Sequence, residues 1–306
     1  MAMHGHGTGL TVSFSSKASA LLAAIPHKQK VFEAIRGRVN LPWRAYHHLD
    51  FEGDFVAQVG HTSIKLRHYG RSTGASVEND IFWSGINGEW EPWSLRLWMT
   101  LAVRSQIVLD IGANTGVYAL VAQALQPSAR VLAFEPVQRV FTQLEANAAL
   151  NGFPIECAKI ALSDYDGEGT FFEPVGHHPY TVTVNQAGPP PGVETVKRIV
   201  AVRQLDSFIA ERAIGKVDLI KLDVETHEPE VLAGYREGLR RDRPTVLIEI
   251  LDDATGARVE ALFEGLDYEF YAIDERQGPK PAHHLRRHSG LNYLVCSKQI
   301  ARTLRL

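Results

Sequence analysis

The pattern of apolar and polar positions changes near residue 107. Residues 51–69 alternate between apolar and polar side chains on either side of Gly60-His61-Thr62, which predicts two short strands joined in a hairpin. From residue 107 onward, nearly continuous apolar runs alternate with stretches of helical periodicity. The predicted strands lie at 107–111, 130–134, 155–162, 217–222, 244–250, 269–273 and 292–296, and the predicted helices at 117–125, 137–150, 228–239 and 257–266.

This alternation predicts an α/β fold. Nearly continuous apolar strands separated by helices are typical of a mostly parallel sheet with helices on both faces, the doubly wound or Rossmann-like architecture. In such sheets, ligands bind beyond the carboxyl ends of the strands, where the strand order switches. The residues that follow the strands are therefore the candidates for function.

The chain divides into three predicted segments. Residues 1–16 are rich in Gly, His, Thr and Ser, and we expect them to be disordered. Residues 17–100 are expected to form a small N-terminal cap of helix and hairpin, and 101–306 the main domain. Within the main domain, the proline-rich stretch 173–194 cannot form a core strand, and we predict a loop that acts as a lid. We expect four tryptophans to pack mainly as core between the cap and the main domain: Trp83, Trp90, Trp93 and Trp98.

Composition narrows the class of protein. Of the 306 residues, 45% are hydrophobic and 22% charged, as in an ordinary globular protein, and a net charge of −3 offers no general attraction for nucleic acid. Cys157 and Cys296 are far apart and have no partner at metal-ligand spacing, so neither a disulfide framework nor a zinc site is indicated. No apolar stretch reaches the ~20 residues that a membrane helix needs, and no signal peptide is evident. These features predict a cytoplasmic protein with no nucleic-acid or membrane partner.

Two motifs at related spacing indicate a nucleoside cofactor. The strand 107–111 leads into a turn of small residues, in which Gly112 and Gly116 permit positive φ and close approach of a ligand to the backbone. The helix that follows offers unpaired amide groups. Glu135 ends the next strand, ~20 residues after the turn, where a carboxylate can accept hydrogen bonds from both ribose hydroxyls.

The residues of the turn favour one cofactor over another. A dinucleotide needs the pattern G-x-G-x-x-G, but the three positions here are Gly112, Asn114 and Val117, so two of the three fail. Asp110 begins the turn, which is unfavourable for a pyrophosphate and suitable for an ammonium group. S-adenosylmethionine has an ammonium group, a sulfonium and a ribose but no phosphate, and the sequence therefore favours it over NAD. A purely structural turn with a solvated acid is the remaining alternative.

The motifs in their order resemble the FkbM-type methyltransferases. The segments that carry the resemblance are Val108–Leu120, Phe134-Glu135-Pro136, Ala161–Asp164, Asp166-Gly167, Ile220–Glu225, Glu228, Val231-Leu232, Gly234 and Asn292-Tyr293-Leu294. The resemblance covers roughly residues 89–296. It implies the class I methyltransferase fold and transfer of a methyl group from S-adenosylmethionine to a hydroxyl oxygen of a sugar or a natural product.

The resemblance also implies roles for residues of the first two motifs. Four of them would line the methionine part of the cofactor: Asp110, Gly112, Asn114 and Gly116. Glu135 would hold the ribose.

Further roles follow from the resemblance outside these motifs. Ser163 and Asp164 would reach the adenine, and Glu91 matches the acidic residue that the family has ahead of the first motif. We count all three as cofactor-binding residues. One departure concerns the turn after the Asp-x-Glu pair, where the family usually has glycine and this chain has Thr226.

The cluster after strand 217–222 holds the candidates for catalysis. A hydroxyl is a poor nucleophile while protonated, and a base within hydrogen-bond reach typically accelerates its reaction by about 10²–10⁴-fold. Asp223, Glu225 and His227 are the candidates. We favour His227 as the base, because neutral imidazole is abundant at pH 7 while a carboxylate with an ordinary pKa is a weak base. Asp223 would position the acceptor or the cofactor amine, and it would point away from Glu225 if the strand geometry continued.

Alternatives to this function remain open at this stage. Glu225 and Glu228 could serve only to favour a helix N-terminus, and Asp223 with His227 could hold a metal, although we predict none. The rival classes are an NAD-dependent oxidoreductase and a non-catalytic binding module on the same fold. The predicted partner is a small molecule or glycan that presents the accepting hydroxyl, and the sequence is compatible with a homo-oligomer.

Overall fold

A computed structural model of the chain describes residues 27–36, 38, 46, 49–70, 76–175, 192 and 194–306. The predicted disorder of residues 1–16 lies outside the described residues, and so does nearly all of the predicted lid. In the described part of the chain, no helix has the length and apolar character needed to cross a lipid bilayer.

The helices of the described residues begin with α1 in the N-terminal region. They are α1 (Lys28–Ile35), α2 (Ser76–Ser84), α3 (Pro92–Ala102), α4 (Val117–Leu125), α5 (Gln138–Asn151), α6 (Leu205–Glu211), α7 (Glu228–Ala233), α8 (Arg236–Asp242), α9 (Asp253–Phe263) and α10 (Lys298–Leu304). The strands are β1 (Glu52–Val59), β2 (Thr62–Tyr69), β3 (Ile107–Ile111), β4 (Arg130–Phe134), β5 (Glu156–Ala158), β6 (Ala161–Leu162), β7 (Gly167–Pro174), β8 (Thr195–Arg203), β9 (Leu219–Leu222), β10 (Thr245–Glu249), β11 (Tyr268–Asp274), β12 (Gly278–Ala282) and β13 (Asn292–Ser297).

The main sheet has eight strands in the order β12-β11-β13-β10-β9-β3-β4-β5. The run from β10 to β5 pairs in parallel, whereas β13 is antiparallel to both of its neighbours and β12 is antiparallel to β11. The chain goes from β3 outward to β5 on one side and later from β9 outward on the other, so the strand order switches between β3 and β9. This topology confirms the predicted class I methyltransferase fold.

Alternate residues of the central strands enter two separate cores. Val108 and Val131 pack into the core on one face of the sheet, and Leu109 and Leu132 pack into the core on the other. Because successive side chains of a strand point to opposite faces, a strand buried on both faces must be apolar at nearly every position. This explains the continuous apolar runs of the sequence.

The hairpin predicted at 51–69 is confirmed, with β1 and β2 antiparallel. It is fastened to α5 by the buried side chain of Asn147, whose Oδ1 accepts a hydrogen bond from Arg67 N (2.9 Å) and whose Nδ2 donates to Thr115 O (2.9 Å). Trp98 of α3 is fully buried and donates to Tyr118 O, as expected of a core tryptophan. The hairpin and the main domain share one core, and the boundaries at residues 16 and 100 stay a prediction.

The structure differs from the predicted elements in two places. The strand predicted at 155–162 is two strands, since β5 belongs to the main sheet and β6 to a separate three-stranded sheet in the order β6-β8-β7. The helix predicted at 228–239 breaks into α7 and α8 around Gly234. A side chain at Gly234 would place its Cβ 1.9 Å from Ser163 O, so this close packing requires glycine.

The outer strands of the main sheet are short or rich in proline. At one edge, β12 consists of five residues that include Pro279 and Pro281. At the other edge, β5 has only three residues. These two strands form the edges of the sheet whose parallel part carries the pocket described next.

Candidate active site

A pocket opens at the carboxyl ends of β3, β4 and β9, where the strand order switches. Most of its lining comes from the segments that follow these strands and β5, with Val77 and Trp90 added from upstream. The lining residues are Val77, Trp90, 110–115, Val117, Tyr118, 134–137, 160–162, Lys221, 223–225 and His227.

The turn after β3 is held in a conformation that needs its small residues. Gly112, Asn114 and Gly116 all have positive φ, at 77°, 51° and 92°. The N–H groups of Gly112 and Ala113 both donate to Phe134 O, at 3.0 and 2.9 Å, which fixes the turn against β4. A Cβ on Gly112 would lie 1.8 Å from Asp223 O, so the turn also touches the backbone that follows β9.

Glu135 is buried beside this turn. Its Oε2 accepts a hydrogen bond from Asn114 N (3.1 Å), and its Oε1 accepts one from Val137 N (2.9 Å). Burial raises the pKa of Glu135 to about 7, although the two N–H groups oppose that shift. Each carboxylate oxygen can accept a second hydrogen bond, which is what a ribose diol would donate.

Asp110 lies beneath the turn and supports the start of α4. Its Oδ2 accepts a hydrogen bond from Ala119 N (2.9 Å). Burial raises the pKa of Asp110 to about 7, against the opposing effects of that N–H group and of Lys221. Asp110 therefore both anchors the helix and faces the pocket.

A buried lysine lies at the other end of the pocket. Lys221 is 2% exposed, its Nζ donates to Asp223 Oδ2 (3.0 Å), and it lies 5.2 Å from the centre of the Tyr118 ring. Carboxylate oxygens of Glu91, Asp223 and Glu249 come within 4.8 Å of one another. Because the ammonium group of Lys221 supplies the positive charge here, we assign no metal to these three carboxylates.

Charge and burial oppose each other in this lysine cluster, the group formed by Glu91, Lys221, Asp223 and Glu249. Burial alone would lower the pKa of Lys221, but the carboxylates outweigh it and the pKa is raised. Burial and the neighbouring charge of Asp223 raise the pKa of Glu249 to about 9. Burial also raises the pKa of Glu91, which accepts a hydrogen bond from Tyr118 Oη. The cluster therefore holds more carboxylates than its single cation balances.

The strand geometry does not continue past β9. Glu225 and Thr226 have φ of 56° and 74°, so the backbone enters a left-handed turn. The condition under which Asp223 and Glu225 were expected to point to opposite sides is therefore not met, and both residues line the pocket. Thr226 is a β-branched residue in the conformation that favours glycine, the residue that the resemblance expects here.

His227 contacts Ser163 across the pocket wall. His227 Nε2 lies 3.0 Å from Ser163 Oγ, and His227 Nδ1 lies 3.7 Å from Glu230 Oε2. Burial lowers the pKa of His227, against the opposing charges of Glu230 and Asp164. The ring is therefore neutral at pH 7, and both of its nitrogens face protein groups.

The structure brings most of the predicted site residues to one pocket. Those that line it are Asp110, Gly112, Asn114, Glu135, Asp223, Glu225 and His227. Gly116 lies just beyond the lining and packs against Leu144. Ser163 is buried behind His227, while Asp164 is exposed and accepts a hydrogen bond from Ser163 Oγ (3.2 Å).

Two predicted residues take different places. Glu91 belongs to the lysine cluster, beyond the residues that line the pocket. Glu228 closes its own turn, where its Oε1 accepts a hydrogen bond from Val224 N (3.0 Å), which agrees with the alternative that it serves the start of a helix.

Sequence analysis assigned no site role to Lys221, Glu249 and Tyr118, and it favoured a core position for Trp90, which lines the pocket. The signal for the first two was visible, because each is a charged residue within or at the end of an apolar strand. Such residues are rarely buried unless they are paired.

Comparison with known proteins points to one family. Residues 110–270 match the family described as "Methyltransferase FkbM domain". The 31-O-demethyl-FK506 methyltransferase FkbM of Streptomyces tacrolimicus is 32% identical over 186 residues, which are 52% of this chain and 71% of that protein. The hexuronic acid methyltransferase AglP of Haloferax volcanii is 28% identical over 170 residues, 56% of this chain and 66% of that protein.

Two further proteins are similar to this chain, one much longer and one with a solved structure. The AMB antimetabolite synthetase AmbE of Pseudomonas aeruginosa is 27% identical over 205 residues, and this chain spans 10% of its length. Among solved structures, the methyltransferase FkbM from Methylobacillus flagellatus is 16% identical with a TM-score of 0.39, and the match covers 65% of this chain and 47% of that one.

Proposed function

Because this chain belongs to the FkbM methyltransferase family, we propose that it transfers a methyl group from S-adenosylmethionine to a hydroxyl oxygen of a sugar or a natural product. Two relatives support this acceptor class, since their names specify a 31-O-demethyl-FK506 acceptor and a hexuronic acid. The observation that carries the proposal is the buried carboxylate of Glu135 beside the glycine turn.

The chemistry of the cofactor end fits S-adenosylmethionine better than NAD. Glu135 offers acceptors for a ribose, and the turn 112–116 brings backbone close to the ligand without a side chain in the way. Asp110 lies beneath this turn and faces the pocket, and its carboxylate would repel a pyrophosphate bound there. Bound here, S-adenosylmethionine would supply an activated methyl group that an oxygen nucleophile can take by in-line displacement.

We place the acceptor hydroxyl at Asp223, in the lysine cluster. Asp223 Oδ2 is held by Lys221, and the structure shows no hydrogen bond from any described residue to the other oxygen, which can accept a proton from the acceptor. Much of the rate of such a transfer comes from alignment of the acceptor oxygen with the methyl carbon.

The assignment of the base therefore moves from His227 to Asp223. His227 would first have to break its contact with Ser163 or turn away from Glu230, whereas Asp223 already has an oxygen that can accept. Asp223→Asn should lower kcat by about 10²-fold or more with an acceptor that the wild type methylates. The acceptor is to be found by mass spectrometry of a panel of hydroxylated glycans and natural products. Near-normal turnover of that variant would remove Asp223 from the role.

Calorimetry with S-adenosylhomocysteine and NAD tests the cofactor proposal. We expect micromolar binding of S-adenosylhomocysteine, roughly −8 kcal/mol, and none of NAD. Glu135→Ala should weaken the binding by about 1.5–3 kcal/mol, because hydrogen bonds to a charged group are lost. Tighter binding of NAD, or unchanged affinity in the variant, would contradict the proposal.

The pH dependence of the same binding gives a second test. Ribose hydroxyls donate best to an ionised carboxylate, and burial raises the pKa of Glu135 to about 7. The affinity for S-adenosylhomocysteine should therefore be higher above about pH 7 than below it. Glu135→Gln should reduce this pH dependence. The remaining pH dependence would come from Asp110, whose pKa burial also raises to about 7.

A further inference from the structure

The adenine half of the cofactor would lie in an apolar slot next to Glu135. The segments that line the pocket follow β9, β3, β4 and β5 in the order of the sheet, so Glu135 lies between the glycine turn on one side and residues 160–162 on the other. In a nucleoside cofactor the ribose joins the base to the rest of the molecule. If the ribose is at Glu135 and the methionine part at the glycine turn, as in the proposed function, the base occupies the slot at 160–162.

One hydrogen-bonding contact links the two sides of this slot. His227 follows β9 and Ser163 follows β6, and the two residues are 64 positions apart in the chain. In the main sheet, β9 and β5 are separated by β3 and β4, three strand spacings or roughly 14 Å. The turn after β9, which lines the pocket, carries His227 across to the place where Ser163 lies, and His227 Nε2 is 3.0 Å from Ser163 Oγ.

The packing of α7 fixes this contact from both ends of the helix. His227 precedes α7, and Gly234 follows it with its Cα directly against Ser163 O. Glu230, one turn into α7, faces His227 Nδ1 and accepts a hydrogen bond from Arg258 Nη2 on α9. The imidazole of His227 therefore contacts Glu230 through one nitrogen and Ser163 through the other.

We propose that His227 is a positioning residue for the adenine half of the cofactor, which it serves by holding Ser163 and closing the slot. This inference rests on the proposed function, and it gives His227 a role at the opposite end of the pocket from the methyl group. A base at the methyl group and a support at the adenine make different predictions. Loss of a base lowers kcat with cofactor affinity retained, whereas loss of this support weakens binding of every ligand that contains adenosine.

The test compares S-adenosylhomocysteine with adenosine as calorimetric ligands. His227→Ala should raise the Kd of both by the same factor, about tenfold, since the methionine half is not involved. Ser163→Ala removes the same contact from the other side and should raise both Kd values to a similar extent. His227→Gln can still place an amide group near Ser163 Oγ and should recover most of the affinity. With an acceptor that the wild type methylates, His227→Ala should raise the KM for S-adenosylmethionine by a larger factor than it lowers kcat.

His284→Ala is the matched control. His284 also lies beside a glutamate, 3.0 Å from Glu260 Oε1, but it is on the surface and outside the pocket lining. It should leave both Kd values unchanged. If the wild type binds S-adenosylhomocysteine but His227→Ala binds both ligands as tightly, the inference fails and the proposed function stands. If the wild type binds neither ligand, the proposed function fails first.

Discussion

At one end of the pocket, the turn 112–116 and Glu135 present mainly backbone groups, while at the other end Lys221 and Asp223 belong to a cluster of charged side chains that Glu91 and Glu249 complete from beyond the lining. The first end comes from two short stretches of chain. The charged cluster and Tyr118, which contacts it, together come from four distant segments of the chain. Both ends lie at the same edge of one sheet and meet where Gly112 touches the carbonyl of Asp223.

The difference concerns what each end tolerates. At the end made of backbone groups, the volume of a substituted side chain matters most, because an added atom would displace the backbone itself. At the end made of paired charges, the charge of a substituted residue and the pH matter most, since a buried charge without its partner destabilises the folded protein. Substitutions chosen for volume should therefore damage the first end most, and substitutions chosen for charge should damage the second.

Gly112→Ala should have the largest effect. Its Cβ would lie 1.8 Å from Asp223 O, and neither the backbone that carries this Cβ nor the Asp223 carbonyl can move without disturbing β3 or β9. We expect a loss of roughly 3 kcal/mol or more in the free energy of unfolding, the scale of overpacking combined with a strained φ. Urea unfolding measures the loss, and S-adenosylhomocysteine binding should be lost with it.

Gly152→Ala is the control for the positive φ alone. Gly152 has φ of 64°, close to the 77° of Gly112, but a Cβ there meets no atom within 4 Å. This variant should lose only about 1 kcal/mol, the cost of a left-handed alanine. Equal losses in the two variants would show that contact with Asp223 O does not limit the turn.

Lys221→Met should have a smaller effect that grows with pH. The variant leaves the carboxylates of the cluster without their cation, and we expect a loss of about 2 kcal/mol near pH 9.5, above the pKa of Glu249. Burial raises the pKa values of Glu91 and Glu249, the latter to about 9, so protonation relieves the repulsion as the pH falls. The stability gap from the wild type should therefore narrow toward pH 6 when urea unfolding is repeated there.

Lys280→Met serves as the comparison for this charge effect. Lys280 pairs with Asp274 at 3.2 Å on the surface, with its side chain 55% exposed. Such an exposed pair contributes little to stability, so this variant should stay close to the wild type. A gap for Lys221→Met that does not depend on pH would mean that packing, and not charge, explains its loss.

Thr226→Gly should have the smallest effect and the opposite sign. Thr226 has φ of 74°, which costs a β-branched residue about 1–2 kcal/mol, and part of this is offset by the greater freedom of glycine in the unfolded chain. A net gain of roughly 0.5–1 kcal/mol is expected in thermal or urea unfolding. Thr226→Ala keeps the strained backbone, so its free energy of unfolding should increase little. An increase as large as that of Thr226→Gly would mean that removal of the threonine side chain, and not relief of the backbone strain, stabilises the protein.

The two ends of the pocket also differ in how well the sequence predicts them. The strand 107–111, the glycine turn and Glu135 lie close together in the chain, and their spacing follows from the geometry of one βαβ unit. The lysine cluster depends on which distant strands become neighbours, and no local pattern contains that information. Lys221 and Glu249 each stood out as a charge within or at the end of an apolar strand, but nothing local indicated that they and Glu91 come together.

His227 shows the same limit. Its residue type favoured a base, because an imidazole near a strand end is chemically suited to that role. Its partner Ser163 is 64 residues away and comes close only because the helix after His227 packs against Ser163 O at Gly234. The positioning role that we propose for His227 therefore depends on a contact made by tertiary packing, which its residue type could not indicate.

The proline-rich edge strand of the main sheet has a consequence for the behaviour of the protein at high concentration. Pro279 and Pro281 lack the N–H groups that a strand of another molecule would need for pairing, and β5 at the opposite edge offers only three residues. Exposed edge strands are the usual starting point for aggregation of folded β-containing proteins. With both edges of the main sheet unsuited to such pairing, aggregation of the folded protein should not begin at this sheet.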